Sequence, residues 1–244
     1  MAAAEFGSAE MRDAQACAAA RPRRVDAPTV LDTTELRWCF PGPLPSDVRD
    51  WFARPTGVTE QRCDTYVLDG RCNIGVKRRF REMLELKVRQ SLDGWIELGE
   101  GLAGSPEVWR KWSPAEGLVD GGSEGRWVDV HKSIVKRRFS VDGTEIAFSS
   151  NPLATEAGCD VEVVEVTVGM LEAWMLAFAA FGPPATQRDS LLAAWHGLVA
   201  ASSCPEPFAL RSGRAMSYPE WLAHTCAADP AARGRRPMSA VALR

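Results

Sequence analysis

Between Asn73 and Arg89 the chain reads NIGVKRRFREMLELKVR, and six of these side chains are basic: Lys77, Arg78, Arg79, Arg81, Lys87 and Arg89. Apolar residues are interleaved with them. Leu84, Leu86 and Val88 take every second position, with Glu85, Lys87 and Arg89 in between. A period of two is the pattern of a β-strand with one apolar and one polar face. Like charges opposite one another on neighbouring strands repel. A polar face this basic therefore restricts the fold: it must look out into water or close around something anionic. The overall charge does not explain the cluster, because 29 Lys and Arg stand against 32 Asp and Glu, for a net charge of -3. A generally basic surface is excluded, and DNA is not an expected partner.

The same alternation recurs elsewhere. ELRWCF (35–40) sets Glu35, Arg37 and Cys39 on one face and Leu36, Trp38 and Phe40 on the other. QRCDTYVL (61–68), CNIGVKRR (72–79) and MLELKVRQ (83–90) read as further strands, the last two joined through 79–82. GWIELGEG (94–101) reads as a continuation of the sheet, and RWVDVHKSIVKRRFSV (126–141) as one long or two short strands. Asp142-Gly143 is a hairpin signal. CDVEVVEVTV (159–168) is another strand, its doubled Val163-Val164 pointing to a bulge. SPEVWRKW (105–112) reads as a helical turn or an irregular crossing, with Trp109 and Trp112 on the core and Arg110 and Lys111 outside. Residues 113–125 read as a loop.

Four segments read as helices. Ser46 is placed to cap SDVRDWFAR, which buries Val48, Trp51 and Phe52. GMLEAWMLAFAAFG (169–182) repeats Leu171, Trp174, Met175 and Phe178 at helical spacing and is stopped by Gly182-Pro183-Pro184. RDSLLAAWHGLVAAS (188–202) follows, then SYPEWLAHTCA (217–227) with Ser217 as its cap. Residues 1–29, rich in Ala, Arg and Pro, read as a disordered tail, and 227–244 as a flexible one. Residues 30–226 then form a single domain. The class is α+β, with seven or eight antiparallel strands followed by helices. Closing about eight strands into a barrel would point the charged face inward, toward a small ligand.

Seven cysteines without a CxxC pair, and three histidines away from ligand spacing, argue for reduced thiols in a cytoplasmic protein and against zinc. No segment approaches the roughly 18 apolar residues of a membrane span. No secretory leader and no membrane partner are expected. No nucleophile with a positioned base identifies catalytic residues.

Six segments, in order, resemble the successive strand motifs of the CYTH-like, or triphosphate tunnel metalloenzyme, superfamily. They are ELRWC (35–39), CDTY (63–66), IGVKRR (74–79), LELKVR (84–89), HKSIVKRR (131–138) and DVEVVEV (160–166), and the likeness covers residues 34 to about 200. It implies an eight-stranded antiparallel β-barrel, or tunnel, with C-terminal and flanking helices. Basic side chains inside hold a polyphosphate, and carboxylates hold Mg²⁺ or Mn²⁺. Arg37, Lys77, Arg79, Lys87, Arg89, Lys132, Lys136 and Arg138 are then the expected phosphate-binding residues. Glu35, Glu85, Glu162 and Glu165 are expected metal ligands or, on the plainer reading, salt-bridge partners of those cations. The expected partner is a phosphorylated small molecule or polyphosphate.

The first strand departs from the family's ExExK. If Glu35 is the first acid, Arg37 replaces the second and Cys39 the lysine. If Glu35 is the second, Thr33 replaces the first and Arg37 the lysine. Either register loses one carboxylate, and Arg offers a divalent ion no oxygen. Two functions stay open. One is triphosphate binding with weak metal-dependent phosphoanhydride hydrolysis; the other is a catalytically silent binding or interaction protein on the same fold.

Overall fold

A computed structural model describes residues 29–54, 56–79, 83–99, 101–113, 126–148, 156–200 and 213–228. The alternating segments become strands: β1 (Thr29–Pro41), β2 (Val58–Leu68), β3 (Ile74–Arg79), β4 (Met83–Leu92), β5 (Ile96–Gly99), β6 (Leu102–Gly104), β7 (Glu107–Ser113), β8 (Arg126–Phe139), β9 (Glu145–Ile146), β10 (Gly158–Val168), β11 (Leu171–Phe181) and β12 (Arg214–Ala215). Among the described residues three helices accompany them: α1 (Ser46–Phe52), α2 (Pro184–Ala200) and α3 (Tyr218–Ala228). The main sheet runs β10-β11-β1-β7-β4-β3-β2-β8. β8 also pairs with β10, which closes an antiparallel eight-stranded barrel. β9 pairs antiparallel with the end of β8, β12 pairs with β1, and β5 and β6 form a separate ribbon.

The principal core lies outside the barrel. Leu36, Trp38 and Phe40 of β1, Val161 and Val163 of β10, and Trp174, Leu176 and Phe178 of β11 are buried there. Against them pack α1, the β5–β6 ribbon, and Leu191, Ala194, Trp195 and Leu198 of α2. Phe40 stacks on Trp174 with ring centroids 3.9 Å apart. Each such large side chain removed from water contributes about 1.5–3 kcal/mol. Gln187 fixes the start of α2. It accepts from Thr34 Oγ1 at 2.8 Å and donates to the carbonyls of Asp32 and Gly182.

A second core sits inside one end of the barrel. Val128, Val130 and Ile134 of β8, Val164 and Val166 of β10 and Met175 of β11 meet Tyr218, Trp221 and Leu222 of α3. That helix therefore stoppers the barrel. Its entry is tied down: Met216 N–H donates to the Arg37 carbonyl, Ser217 Oγ donates to the Cys72 carbonyl, and Ser217 Oγ accepts from Glu220 N–H as the expected cap.

Several expectations change. Residues 171–181 are a strand, not a helix. β11 is covered by α2 on one face and by the barrel interior on the other, so both faces are apolar and the period-two signal vanishes. Residues 107–113 are also a strand. Trp109 does go to the core, but Lys111 faces inward with it. β10 has no bulge at Val163-Val164, because its registers with β8 and β11 are unbroken. The irregularity falls in β4, between Arg89 and Ser91. Segment 126–139 is one long strand, and 96–104 leaves the barrel as the ribbon. Ser46 lies within α1, whose N-cap is Pro45. α3 runs to Ala228, and the expected tails otherwise lie outside the described residues, as do 80–82 and 114–125.

The turn after β8 presses on α2. Gly143, with φ of +83°, faces Gly197, and a Cβ on Gly197 would run into the Gly143 carbonyl. Gly197→Val is expected to destabilise the fold by about 2 kcal/mol, as overpacking does. Urea unfolding should show a lowered midpoint with an unchanged slope; an unmoved midpoint would contradict this packing.

Candidate functional site: the barrel interior

Closure decides where the charges go. Residues directly opposite in an antiparallel pair share a face. The registers place on one face Glu35 and Arg37 of β1, Arg62, Asp64 and Tyr66 of β2, and Lys77 and Arg79 of β3. The same face carries Glu85, Lys87 and Arg89 of β4, Glu107, Trp109 and Lys111 of β7, Lys132, Lys136 and Arg138 of β8, and Asp160 and Glu162 of β10. The outer core holds the other face of β1, β10 and β11, so this one is the interior. β11 supplies Ala177 and Ala179 opposite Arg37, Glu35, Glu162 and Asp160. Small side chains there leave room for long ones.

Asp64 is the hub and is fully buried. Its Oδ2 lies 2.8 Å from Lys132 Nζ, 3.3 Å from Arg62 Nε and 3.4 Å from Lys77 Nζ. Arg79 Nε is 3.9 Å from Oδ1. Lys132 also donates to Tyr66 Oη at 2.6 Å, and its ammonium lies over the ring of Tyr218, which stacks on Tyr66. Glu85 pairs with Lys77 at 2.9 Å and Arg79 at 3.3 Å. Lys87 pairs with Glu35, which also accepts from Thr33 Oγ1. Lys136 bridges Glu60 and Glu162, each at 3.2 Å. Arg89 pairs with Glu107, and Arg138 holds Asp160 through two hydrogen bonds.

Burial alone would raise the pKa of Asp64, Glu85, Glu162 and Glu35, and there the cations outweigh it. At Glu107 burial outweighs Arg89 and the pKa is raised. Lys77, Lys132, Arg62 and Arg79 hold Asp64 far below the usual range, and Lys77, Arg79 and Lys111 do so for Glu85. Lys136, Arg62 and Arg37 bring Glu162 down to about 2. Lys87 and Arg37 lower Glu35. Among the cations, burial and the nearby Arg79 bring Lys77 down to about 8, and burial lowers Lys111 and, strongly, Lys132.

The pairing is incomplete. Lys111 has no carboxylate within ion-pair distance among the described residues, and it sits directly opposite Lys87 in the β4–β7 register. Arg37 has Glu35 only at 4.0 Å and otherwise lies over the Tyr218 ring. Among the described residues, Asp64 Oδ1, Arg79 Nε and Tyr218 Oη are buried without a hydrogen-bond partner. Among the described residues, inward cations outnumber inward carboxylates, Glu60 included.

All eight cations expected from the sequence face the interior. Of the expected acids, Glu35, Glu85 and Glu162 face inward but each is engaged by cations. Glu165 is on the outer face of β10, where Arg49 of α1 donates to both its oxygens at 2.8 and 2.9 Å. Its placement corrects the grouping with Glu162: an unbroken strand puts residues three apart on opposite faces. Among the described residues no three acidic, His or Cys side chains gather as a metal would require. The donor set among the described residues therefore does not fit a bound divalent ion.

Sequence reasoning missed Arg62, Asp64, Tyr66, Lys111 and Tyr218. The alternation in QRCDTY carried the first three; Lys111 was hidden by the helical reading of 105–112. Tyr218 arrives through the packing of α3, which no local pattern announces. A cleft of about 160 Å³ between the β2–β3 turn and α3, lined by Leu68, Ile74, Pro219 and Leu222 among others, lies at the stoppered end beside this network.

No protein-family model, curated protein or solved structure matches the chain. Among the described residues no helix is long and apolar enough to cross a membrane.

The depressed carboxyls link stability to pH. A group whose folded pKa lies below its unfolded value stabilises the fold above the unfolded pKa and loses that contribution as pH falls toward the folded one. For Asp64, Glu85 and Glu162 the loss begins below about pH 5 and deepens toward pH 2. Unfolding free energy is expected to drop by about 3 kcal/mol between pH 7 and pH 3. Urea titrations at both pH values check it, and equal stability would contradict the network.

Proposed function

We propose that the barrel binds a phosphorylated anion, a triphosphate or a compound carrying one, directly on its inward cations. One observation carries this reading: Lys87 and Lys111 face each other across neighbouring strands inside a closed barrel, and Lys111, though attracted by Glu85, has no carboxylate within ion-pair distance among the described residues. Like charges opposed in a sheet destabilise it, and burial aggravates the repulsion. A polyanion between them turns the repulsion into attraction. Arg79, Arg37 and Lys77 are near enough to the same network to share the ligand's charge. Arginine meets phosphate oxygens with a rigid fork and lysine with a point charge, and both kinds are present.

The resemblance to the tunnel enzymes also implies Mg²⁺ or Mn²⁺. Here Glu35, Glu85 and Glu162 are each held by cations, so the reading is of binding through Arg and Lys, with water activation not supplied by these acids. The engaged carboxylates favour the catalytically silent form of this function over rapid hydrolysis.

Calorimetry with inorganic tripolyphosphate is expected to show binding that weakens as salt rises. Lys111→Met is the telling variant, since it breaks no ion pair. It removes the repulsion from Lys87 but also the pull of Lys111 on Glu85, so the ligand-free protein is expected to change little in stability, while tripolyphosphate binding weakens at least about tenfold. No heat at millimolar ligand would overturn the reading. Phosphate release with Mg²⁺ or Mn²⁺ is expected at background; brisk metal-dependent release would mean an enzyme.

A further inference from the structure

The cations deepest in the network do not wait for a ligand with nothing between them. Arg62, Lys77, Lys132 and Arg79, from β2, β3 and β8, converge on a single carboxylate, that of Asp64. The match is poor in one respect. Three of the four reach the same oxygen, Oδ2. Oδ1 is buried with no hydrogen bond, and so is Arg79 Nε, which faces it from 3.9 Å. A carboxylate can accept four hydrogen bonds only when the donors spread over both oxygens in its plane, and here three crowd Oδ2. A tetrahedral phosphoryl group offers three oxygens splayed in space and a larger charge, and so fits such a cage better.

Resting on the phosphate-binding reading, we infer that Asp64 is a built-in stand-in for the ligand: its carboxylate occupies the cation cage that a phosphoryl group of a polyphosphate would take, and competition between the two sets the affinity of the site. Two consequences follow from the geometry. Without Asp64 the cage would hold four cations with no central anion, and the empty barrel would be strained by their repulsion. With a phosphoryl group present, Asp64 is a like charge beside it. Asp64 thus keeps the empty barrel folded and weakens the filled one. Glu85 also neutralises Lys77 and Arg79, at 2.9 and 3.3 Å, but has no contact with Lys132 or Arg62 among its ion pairs; the stand-in role belongs to Asp64.

The test is Asp64→Asn in the full chain, which keeps the shape and removes the charge. Thermal unfolding and calorimetry are run on the wild type and the variant with tripolyphosphate and, separately, orthophosphate. The variant is expected to unfold at a lower temperature than the wild type without anion. It should recover with tripolyphosphate, show a larger ligand-induced rise in Tm, and bind at least about tenfold more tightly, a gain of about 1.4 kcal/mol. Orthophosphate should rescue it partially, because a single phosphoryl group fills the cage. Wild-type binding with equal or weaker binding by the variant overturns the stand-in role and leaves the phosphate site standing. Binding by neither protein overturns both. A variant that stays unfolded in millimolar tripolyphosphate also overturns the stand-in role, because the anion then cannot take the place of the carboxylate.

Discussion

The pairing of β8 with β10 is the constraint on which everything else depends. An open sheet with these strands would leave its charged face in water, where the ion pairs would be worth little. Closing the ring confines that face. Most of the Lys, Arg, Asp and Glu on it then pair at short range, because an unpaired buried charge is costly. The network around Asp64, Glu85, Glu35 and Glu162 is the result. Such a network is weak evidence for stability, since desolvation consumes much of the attraction. The fold is held instead by the apolar layer outside the barrel, where α1, α2 and the β5–β6 ribbon cover Trp38, Phe40, Trp174 and Phe178, and by the smaller core under α3.

How much of this could be read from the chain depended on whether a strand kept one polar face. β1, β2, β3, β4 and β8 did, and their period of two gave both their existence and the side on which Arg37, Lys77, Arg79, Lys87, Arg89 and Lys132 lie. β11 did not. With α2 on one side and Ala177 and Ala179 lining the interior on the other, its sequence carries no alternation, and Trp174, Met175 and Phe178 fall by coincidence at helical spacing. β7 failed for a different reason: it is short, and Arg110 outside and Lys111 inside look alike when neither partner strand is known. Arg110 meets Asp32 of β1 across the outer surface, whereas Lys111 meets Lys87. Only the register tells them apart. The placement of Tyr218 on Tyr66 was beyond local pattern altogether, since the segments are joined by tertiary packing of a terminal helix.

The surplus of positive charge among the described inward residues is what supports the proposed binding of an anion. A chain selected only for stability has no reason to oppose Lys87 with Lys111, or to leave Arg37 at 4.0 Å from its nearest carboxylate. Strain of this kind is tolerated where a ligand relieves it, and removing it stabilises the empty protein at the expense of function. Arg37 stands inside the barrel and adds a further cation to its wall.

The central claim is that an anion sits among these inward cations, and locating one is the most direct measurement. Crystals of the protein soaked in tungstate, a tetrahedral oxyanion with strong anomalous scattering, should show a peak inside the barrel within reach of Arg79, Lys87 and Lys111. Peaks confined to the outer surface, with the interior empty at the same concentration, would contradict the account.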